Sequence, residues 1–310
     1  MGEHTIHIRA AWDGAGGERG IPLGAGGDAN DGGRPEFIEA RNGVICIGSG
    51  EYPEIENIRK GMIEFKSVNK TFNKGQPSEV VALKDINLVI NKGEFVVIVG
   101  SNGSGKTTML NALAGAEICS SGQIFIGGVD VTRLPEYKRS KWVARVFQNP
   151  MSGTAPELSI LDNFRLAAIR TTAKTLRVGV NEAFRKEVKD RIATLGMGLE
   201  NKVDQPMGAL SGGQRQALTL LMSVMDKTDI LLLDEPTAAL DPRAADLVMQ
   251  TADKLIKEYQ LTALLITHQI KDAKTYGNRL LQMHMGVVER DLNSTAKDAL
   301  TVQEMFGWFV

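Results

Sequence analysis

The sequence predicts an α/β fold: a parallel central sheet, a small antiparallel β-subdomain on its amino-terminal side and an inserted helical subdomain. Three observations lead there. "EFVVIVG", "DILLLDEP" and "TALLITH" are short, continuously apolar runs of the kind that parallel strands need when both faces are covered. Helical spacing follows the first two, in "TTMLNALAG" and around residues 242–259. Between them, from about residue 154 to 200, "SILDNFRLAAI" and "VNEAFRKEVKDRIATLGM" repeat with helical period and no strand-like alternation.

The first 61 residues differ from the rest. "DGAGGERGIPLGAGGDANDGGRP" is rich in glycine and poor in large apolar groups, so ordering it costs backbone entropy for little burial. A disordered or non-native extension is expected over residues 1–61, with room for one short strand in "NGVICIGSG". From Met62, "MIEFKSVNKTFNKG" and "ALKDINLVINKG" read as two strands, each closed by a glycine turn. A single domain is expected over 62–310, its helical subdomain at approximately 150–225. "NRLLQMHMGVVERD" suits a closing hairpin and "TVQEMFGWF" a short final helix. No internal repeat is visible.

A chain of 310 residues can bury one substantial core with a smaller subdomain. With 36 basic and 37 acidic residues, its net charge of -1 gives no electrostatic reason to expect nucleic acid as a partner. Cys46 and Cys119 stand in unrelated contexts, with neither a metal spacing nor a disulfide framework. His4, His7, His268 and His284 are too scattered for a metal cluster. No stretch approaches the roughly 20 continuous apolar residues needed to span a bilayer, and the start lacks the apolar core of a secretory signal. A cytoplasmic chain is expected.

"GSNGSGKTT", residues 100–108, fits G-x-x-x-x-G-K-[ST]. Gly100, Gly103 and Gly105 let the loop turn its N–H groups inward, and Ser101, Asn102, Ser104 and Thr108 complete the cradle around a nucleoside triphosphate. Lys106 supplies a point charge for the β- and γ-phosphates, and Thr107 a hydroxyl for Mg²⁺. The following helix adds its amino-terminal field. "ILLLDEPTAALD" supplies the other half: a strand carries Asp234 and Glu235 to its carboxyl end, where ligands of open α/β sheets sit. Asp234 suits the Mg²⁺ shell, and Glu235 is free to polarise the attacking water. Gln148, in "RVFQNP", can reach metal or water through its amide, and His268, ending "ALLITH", can reach the γ-phosphate. Either alone reads as an ordinary polar strand terminus; together they fall on strand ends of one sheet.

A second glycine turn stands about a hundred residues on. In "ALSGGQRQAL", Ser211 and Gln214 form an S-x-x-Q capping box ahead of a long apolar helix. Gly212 and Gly213 leave backbone N–H groups uncovered, which makes this helix start a further anion site. One nucleotide has one γ-phosphate, already enclosed by the first loop. The second turn therefore suits the nucleotide of another subunit.

In these motifs the chain resembles the nucleotide-binding subunit of ATP-binding cassette (ABC) transporters, over about residues 62–309. "GSNGSGKTT" is similar to that family's phosphate loop, "LSGGQ" to its signature, "ILLLDEP" to its metal and base strand, "AALD" to its dimer-facing loop and His268 to its switch histidine. Gln148 matches the glutamine bordering the helical subdomain, and Phe72, in "KTF", falls where an aromatic ring stacks on adenine. The resemblance implies a P-loop NTPase core of ABC ATPase type, hydrolysing ATP with Mg²⁺. It also implies a head-to-tail dimer in which Ser211, Gly212, Gly213 and Gln214 complete the second copy's site and Asp241 couples the two sites. Such a dimer drives a pair of membrane permease subunits docked near Gln148, so the implied location is peripheral, on the cytoplasmic face of the membrane.

"RVFQNPMSGTAPELSILDNFRLA", "LSGGQRQALTLLMSVM" and the terminal "LTVQEMF" resemble, more narrowly, the ATPase subunits of bacterial importers that work with an extracytoplasmic binding lipoprotein. Tryptophan or tyrosine is the solute this implies. Pro236 stands where some of those relatives carry histidine, and the amino-terminal extension is foreign to them. The alternatives are the ATPase subunit of an exporter and, outside transport, a cassette ATPase of DNA repair or translation. The chain has one cassette, with no long coiled coil and no zinc-finger pattern to favour the latter.

Overall fold

The computed structural model describes residues 61–171 and 179–308 and, ahead of them, two short strands. Contacts divide the chain into Met1–Ile58 and Arg59–Val310. In the first unit, β1 (Ala40–Arg41) pairs antiparallel with β2 (Val44–Ile45), Ala40 opposite Ile45. The short strand expected in "NGVICIGSG" falls on β2; β1 and Gly61 are described within the expected extension, and its other residues lie outside the described ones.

The second unit opens with the expected antiparallel pair, β3 (Ile63–Phe72) and β4 (Val80–Ile90), in register from Ile63 opposite Ile90. Alternation decides the buried face: Ile63, Phe65 and Val68 of β3 meet Leu83, Ile86, Leu88 and Ile90 of β4 in one core. β6 (Ser121–Ile126) and β7 (Val129–Asp130) extend this sheet to the order β4-β3-β6-β7. Neither was foreseen, because "SGQIFI" is short and its buried residues are only Ile124 and Ile126.

The main sheet contains β5 (Phe95–Val99), β8 (Val143–Val146), β9 (Ile230–Asp234), β10 (Thr262–Ile266), β11 (Arg279–His284) and β12 (Val287–Asn293), ordered β12-β11-β5-β10-β9-β8. All neighbours are parallel except the closing hairpin β11–β12. The continuous apolar runs have their reason here. On β5, Phe95, Val97 and Val99 enter one core, whereas Val96 and Ile98 enter another. The second core holds the antiparallel sheet and α1 (Lys106–Ala114). The first holds α3 (Ile160–Ala168), α4 (Glu182–Ala193), α5 (Gly212–Ser223) and α6 (Pro242–Glu258). Asparagine and serine caps start the two inserted helices: Ser159 accepts from the Asp162 N–H, and Asn181 from the Phe184 N–H. α5 packs across α6 and β8, so the helical stretch shares its core with the sheet.

Buried cations close several chain ends. Arg139, at the end of α2 (Glu136–Arg139), is fully buried and donates to the carbonyls of Ala112 (2.6 Å), Leu113 (3.0 Å), Leu134 (2.8 Å) and Thr132 (3.1 Å). It thereby caps the carboxyl end of α1, where a positive charge meets the negative end of the helix dipole. Lys297, on α8 (Ser294–Ala299), is also buried and donates to the carbonyls of Tyr276 and Gly277 just past α7 (Ile270–Thr275). The terminal helix α9 (Val302–Phe306) begins with a capping box between Thr301 and Glu304.

Burial pushes the Lys297 ammonium down from 10.5 to about 8. The unfolded chain therefore binds more protons between those values, and folding gains stability as pH rises through that window. Thermal melts taken from pH 8 to pH 10 are expected to show a rising midpoint, and Lys297→Met is expected to show a smaller rise than wild type.

Candidate nucleotide-binding site

Parallel register brings the polar strand ends to one edge. Val146 lies opposite Leu233, Asp234 opposite Ile266, and Ile266 opposite Ile98. The residues just beyond, from the phosphate loop after β5 to Gln148 after β8, Glu235 after β9 and His268 after β10, thus leave the sheet on the same side.

The phosphate loop is held by close backbone approach. A Cβ on Gly100 would stand 2.1 Å from the Met283 carbonyl oxygen, and one on Gly105 would stand 2.4 Å from that of Ala82. Both glycines also have positive φ, +145° and +100°, which other residues adopt only with strain. Gly286, in the β11–β12 turn, donates to the Ser104 carbonyl (3.0 Å) and accepts from the Lys84 N–H (2.8 Å). Gly103 is different: its φ is +78°, but the space around it is open. Ser101 is half-buried, Asn102 exposed, and the buried Ser104 hydroxyl has no hydrogen-bond partner.

Lys106 is 5% exposed, and its ammonium spans the loop to the carbonyls of Gly100 (2.7 Å) and Ser101 (2.9 Å). Burial lowers its pKa, and the charges of Glu235 and Asp234 oppose that shift. Gly105 gives α1 no side-chain cap, so the first amides of the helix face the loop as anion donors. Thr107 is exposed, Thr108 half-buried.

Asp234 lies at the end of β9 with Oδ1 3.4 Å from the Thr107 hydroxyl. Its Oδ2 accepts from the Arg145 guanidinium at 2.5 Å. Among the described residues, no three His, Cys, Asp or Glu side chains form a metal cage. A hydroxyl beside one carboxylate fits Mg²⁺, which binds few protein oxygens and completes its octahedron with phosphate and water. Glu235 follows with φ +49°, a conformation that costs a side-chain-bearing residue about 1–3 kcal/mol. Its N–H donates to the Ile266 carbonyl (3.1 Å), and its Oε1 lies 2.8 Å from His268 Nε2. The structure thus brings Lys106, Thr107, Asp234, Glu235 and His268 together. Gln148 is exposed on the turn after β8. Phe72, at the end of β3, is half-buried with the Lys70 ammonium 4.6 Å from its ring centroid.

The second glycine turn forms the capping box read from the sequence. Ser211 Oγ accepts from the Gln214 N–H (3.3 Å), and Gln214 Oε1 accepts from the Ser211 N–H (3.1 Å). The glycines have an additional reason to be glycine. A Cβ on Gly213 would stand 2.5 Å from that of Ala244, and one on Gly212 would stand 3.3 Å from Leu240 Cδ2. They let α5 start against the start of α6, which Asp241 caps by accepting from the N–H groups of Arg243 and Ala244.

Sequence reasoning passed over three polar residues of this neighbourhood. Arg145 bonds Asp234 and, at 2.7 Å, Asn111 on α1. Gln216 donates to the carbonyls of Phe147 (2.8 Å) and Pro236 (3.1 Å), tying α5 to the turns after β8 and β9. The buried Arg215 donates to the carbonyls of Met207, Gly208 and Leu210, fixing the approach to the signature turn. A charge set inside an apolar run, as in "WVARVF", was the available signal for Arg145.

Comparison with known proteins agrees with this geometry. The family model for ABC transporters matches residues 83–238. The chain is 38% identical to a tyrosine transport ATP-binding protein of Clostridioides difficile, over 80% of this chain and 98% of that protein. It is 35% identical to a phosphonates import ATP-binding protein of Lactobacillus acidophilus, over 78% of this chain and 94% of that one. Among solved structures, a dimeric ATP-binding cassette in a post-hydrolysis state with ADP and Pi superposes with a TM-score of 0.65 at 30% identity, covering 75% of this chain and 99% of that chain. With its phosphate loop and acidic strand end at one edge of a parallel sheet, this chain belongs to the ABC transporter family and carries that family's transport-coupled ATPase domain.

Proposed function

We propose that this chain is the ATP-hydrolysing subunit of an importer for tyrosine or a related aromatic amino acid, its ATPase domain running from residue 62 to 310. The convergence of Lys106, Thr107, Asp234, Glu235 and His268 on one sheet edge carries the ATPase part of the reading. The 38% identity to a tyrosine transport ATP-binding protein, over nearly all of that protein, supports the solute.

In this reading, Lys106 exchanges the Gly100 and Ser101 carbonyls for the β- and γ-phosphate oxygens of ATP, with loop amides and the start of α1 holding the remaining charge. Phe72 stacks on the adenine. Thr107 and Asp234 would hold Mg²⁺, with Gln148 reaching it through its amide, and the metal would neutralise charge on the phosphates. Glu235 accepts the proton of the attacking water, and His268 holds its carboxylate in place.

The remaining γ-phosphate contacts come from Ser211, Gly212, Gly213 and Gln214 of a second copy, whose capped helix start presents free amides. Two permease subunits dock on the helical stretch beside Gln148, where Met151, Leu158 and Leu166 expose apolar surface. The subunit is thereby held at the cytoplasmic face of the membrane, and a binding lipoprotein delivers solute from the far side.

Reconstituted with its permease and binding lipoprotein, the chain is expected to drive ATP-dependent uptake of labelled tyrosine. Leu158→Glu together with Leu166→Glu is expected to abolish uptake while leaving nucleotide binding by the purified subunit intact. Uptake of phosphonate in place of any aromatic amino acid would reject the solute assignment.

Dimerisation separates binding from chemistry. Glu235→Gln is expected to lower turnover by about 10²–10⁴-fold and to trap an ATP-bound dimer seen by size exclusion with light scattering. Adding Ser211→Arg fills the signature turn and is expected to return the protein to an ATP-binding monomer. A double mutant that still dimerises would remove residues 211–214 from the partner's site.

A further inference from the structure

Asp234 already holds a cation that belongs to the protein. The Arg145 guanidinium reaches it from the neighbouring strand β8, and both side chains are 10% exposed. Nη2 bonds Oδ2 at 2.5 Å, Nη1 bonds Asn111 Oδ1 at 2.7 Å, and the guanidinium carbon lies 4.7 Å from the Phe147 ring centroid. Nε is buried without a hydrogen-bond partner, so the group is held by its two outer nitrogens. One guanidinium therefore touches the helix after the phosphate loop, the acidic end of β9 and the aromatic ring next to Gln148.

The charge balance gives this contact a consequence. A carboxylate with so little exposure needs a counter-charge. Lys106 is committed to the Gly100 and Ser101 carbonyls, which leaves Arg145 as the cation bonded to Asp234. A divalent ion arriving between Asp234 Oδ1 and Thr107 would meet that guanidinium across a single carboxylate, where water screens poorly. A nucleotide changes the balance, because its phosphates bring several negative charges to the same place. We infer that Arg145 is a positioning residue that excludes free divalent cations from Asp234, so that the metal enters only together with nucleotide. The inference rests on the reading that Thr107 and Asp234 hold the metal.

The test measures Mn²⁺ binding to the full chain by the electron paramagnetic resonance of the free ion, with and without ADP. Wild type is expected to bind Mn²⁺ weakly without nucleotide and tightly with it. Arg145→Met is expected to bind Mn²⁺ without nucleotide at least about tenfold more tightly than wild type, from loss of the like-charge repulsion. Adding Asp234→Asn should remove that gain. Arg145→Lys keeps the charge and is expected to behave as wild type, which a role in packing alone would not produce. Arg145→Gln, which keeps hydrogen bonding without charge, takes the place of the methionine variant if that chain fails to fold. Unchanged or weaker Mn²⁺ binding in Arg145→Met overturns the inference while leaving the metal site standing, provided Asp234→Asn still abolishes binding with ADP. If Asp234→Asn leaves ADP-dependent Mn²⁺ binding intact, the metal assignment itself fails, and the inference with it.

Discussion

The phosphate loop is caught between two sheets at the β11–β12 turn. Gly286 donates to Ser104 of the loop and accepts from Lys84 of β4, so one residue of the closing hairpin joins the parallel sheet, the antiparallel sheet and the nucleotide cradle. Beside this clamp the loop backbone runs closer to both sheets than a Cβ would permit at two of its positions. Gly100 and Gly105 would drive a Cβ into the Met283 and Ala82 carbonyls. The position of Lys106 depends on the same approach, since its ammonium is tied to carbonyls that the clamp holds still.

Buried positive charge follows a consistent pattern. The fully or nearly buried Lys106, Arg139, Arg215 and Lys297 all donate to main-chain carbonyls. Those carbonyls lie at helix ends, in the phosphate loop and in the turn before the signature, places where regular structure leaves acceptors unmatched. A long cation there satisfies several acceptors at once, and hydrogen bonds to a charged donor are worth roughly 1.5–3 kcal/mol each. Arg145, only slightly more exposed, reaches a carboxylate instead. The departure falls on the one carboxylate beside Thr107, which is what gives it chemical interest.

The helix after the second glycine turn is tied to the polar edge of the sheet through its second glutamine. Gln214 is spent on capping its own helix, whereas Gln216 crosses to the turns that follow β8 and β9. Gly213 sets α5 against α6 so closely that the cap of α6 at Asp241 and the cap of α5 at Ser211 occupy one packed corner. The start of α5 is thus hydrogen-bonded through Gln216 to Pro236, beside Glu235. Strain at Glu235 persists because β10 holds its amide through Ile266 and His268 holds its carboxylate.

By itself the sequence determined the apolar strands β5, β9 and β10, the helices that follow the two glycine turns, and the turns themselves. Each is a local matter: a strand buried on both faces must be apolar throughout, and a capping box or phosphate loop is complete within a few residues. β6 and β7 escaped because a six-residue strand with two buried residues and a two-residue exposed strand give little periodic signal. Tertiary structure alone decided the long-range polar contacts, Arg145 with Asp234 at a separation of 89 residues and Gln216 with Phe147 at 69. It also decided that Gly213 is small for the sake of Ala244 as well as for open amides. A single charge or amide in a sequence carries no record of its partner. Partners are chosen by the order of strands in the sheet and by the register that sets Asp234 beside Ile266, which only the folded chain supplies.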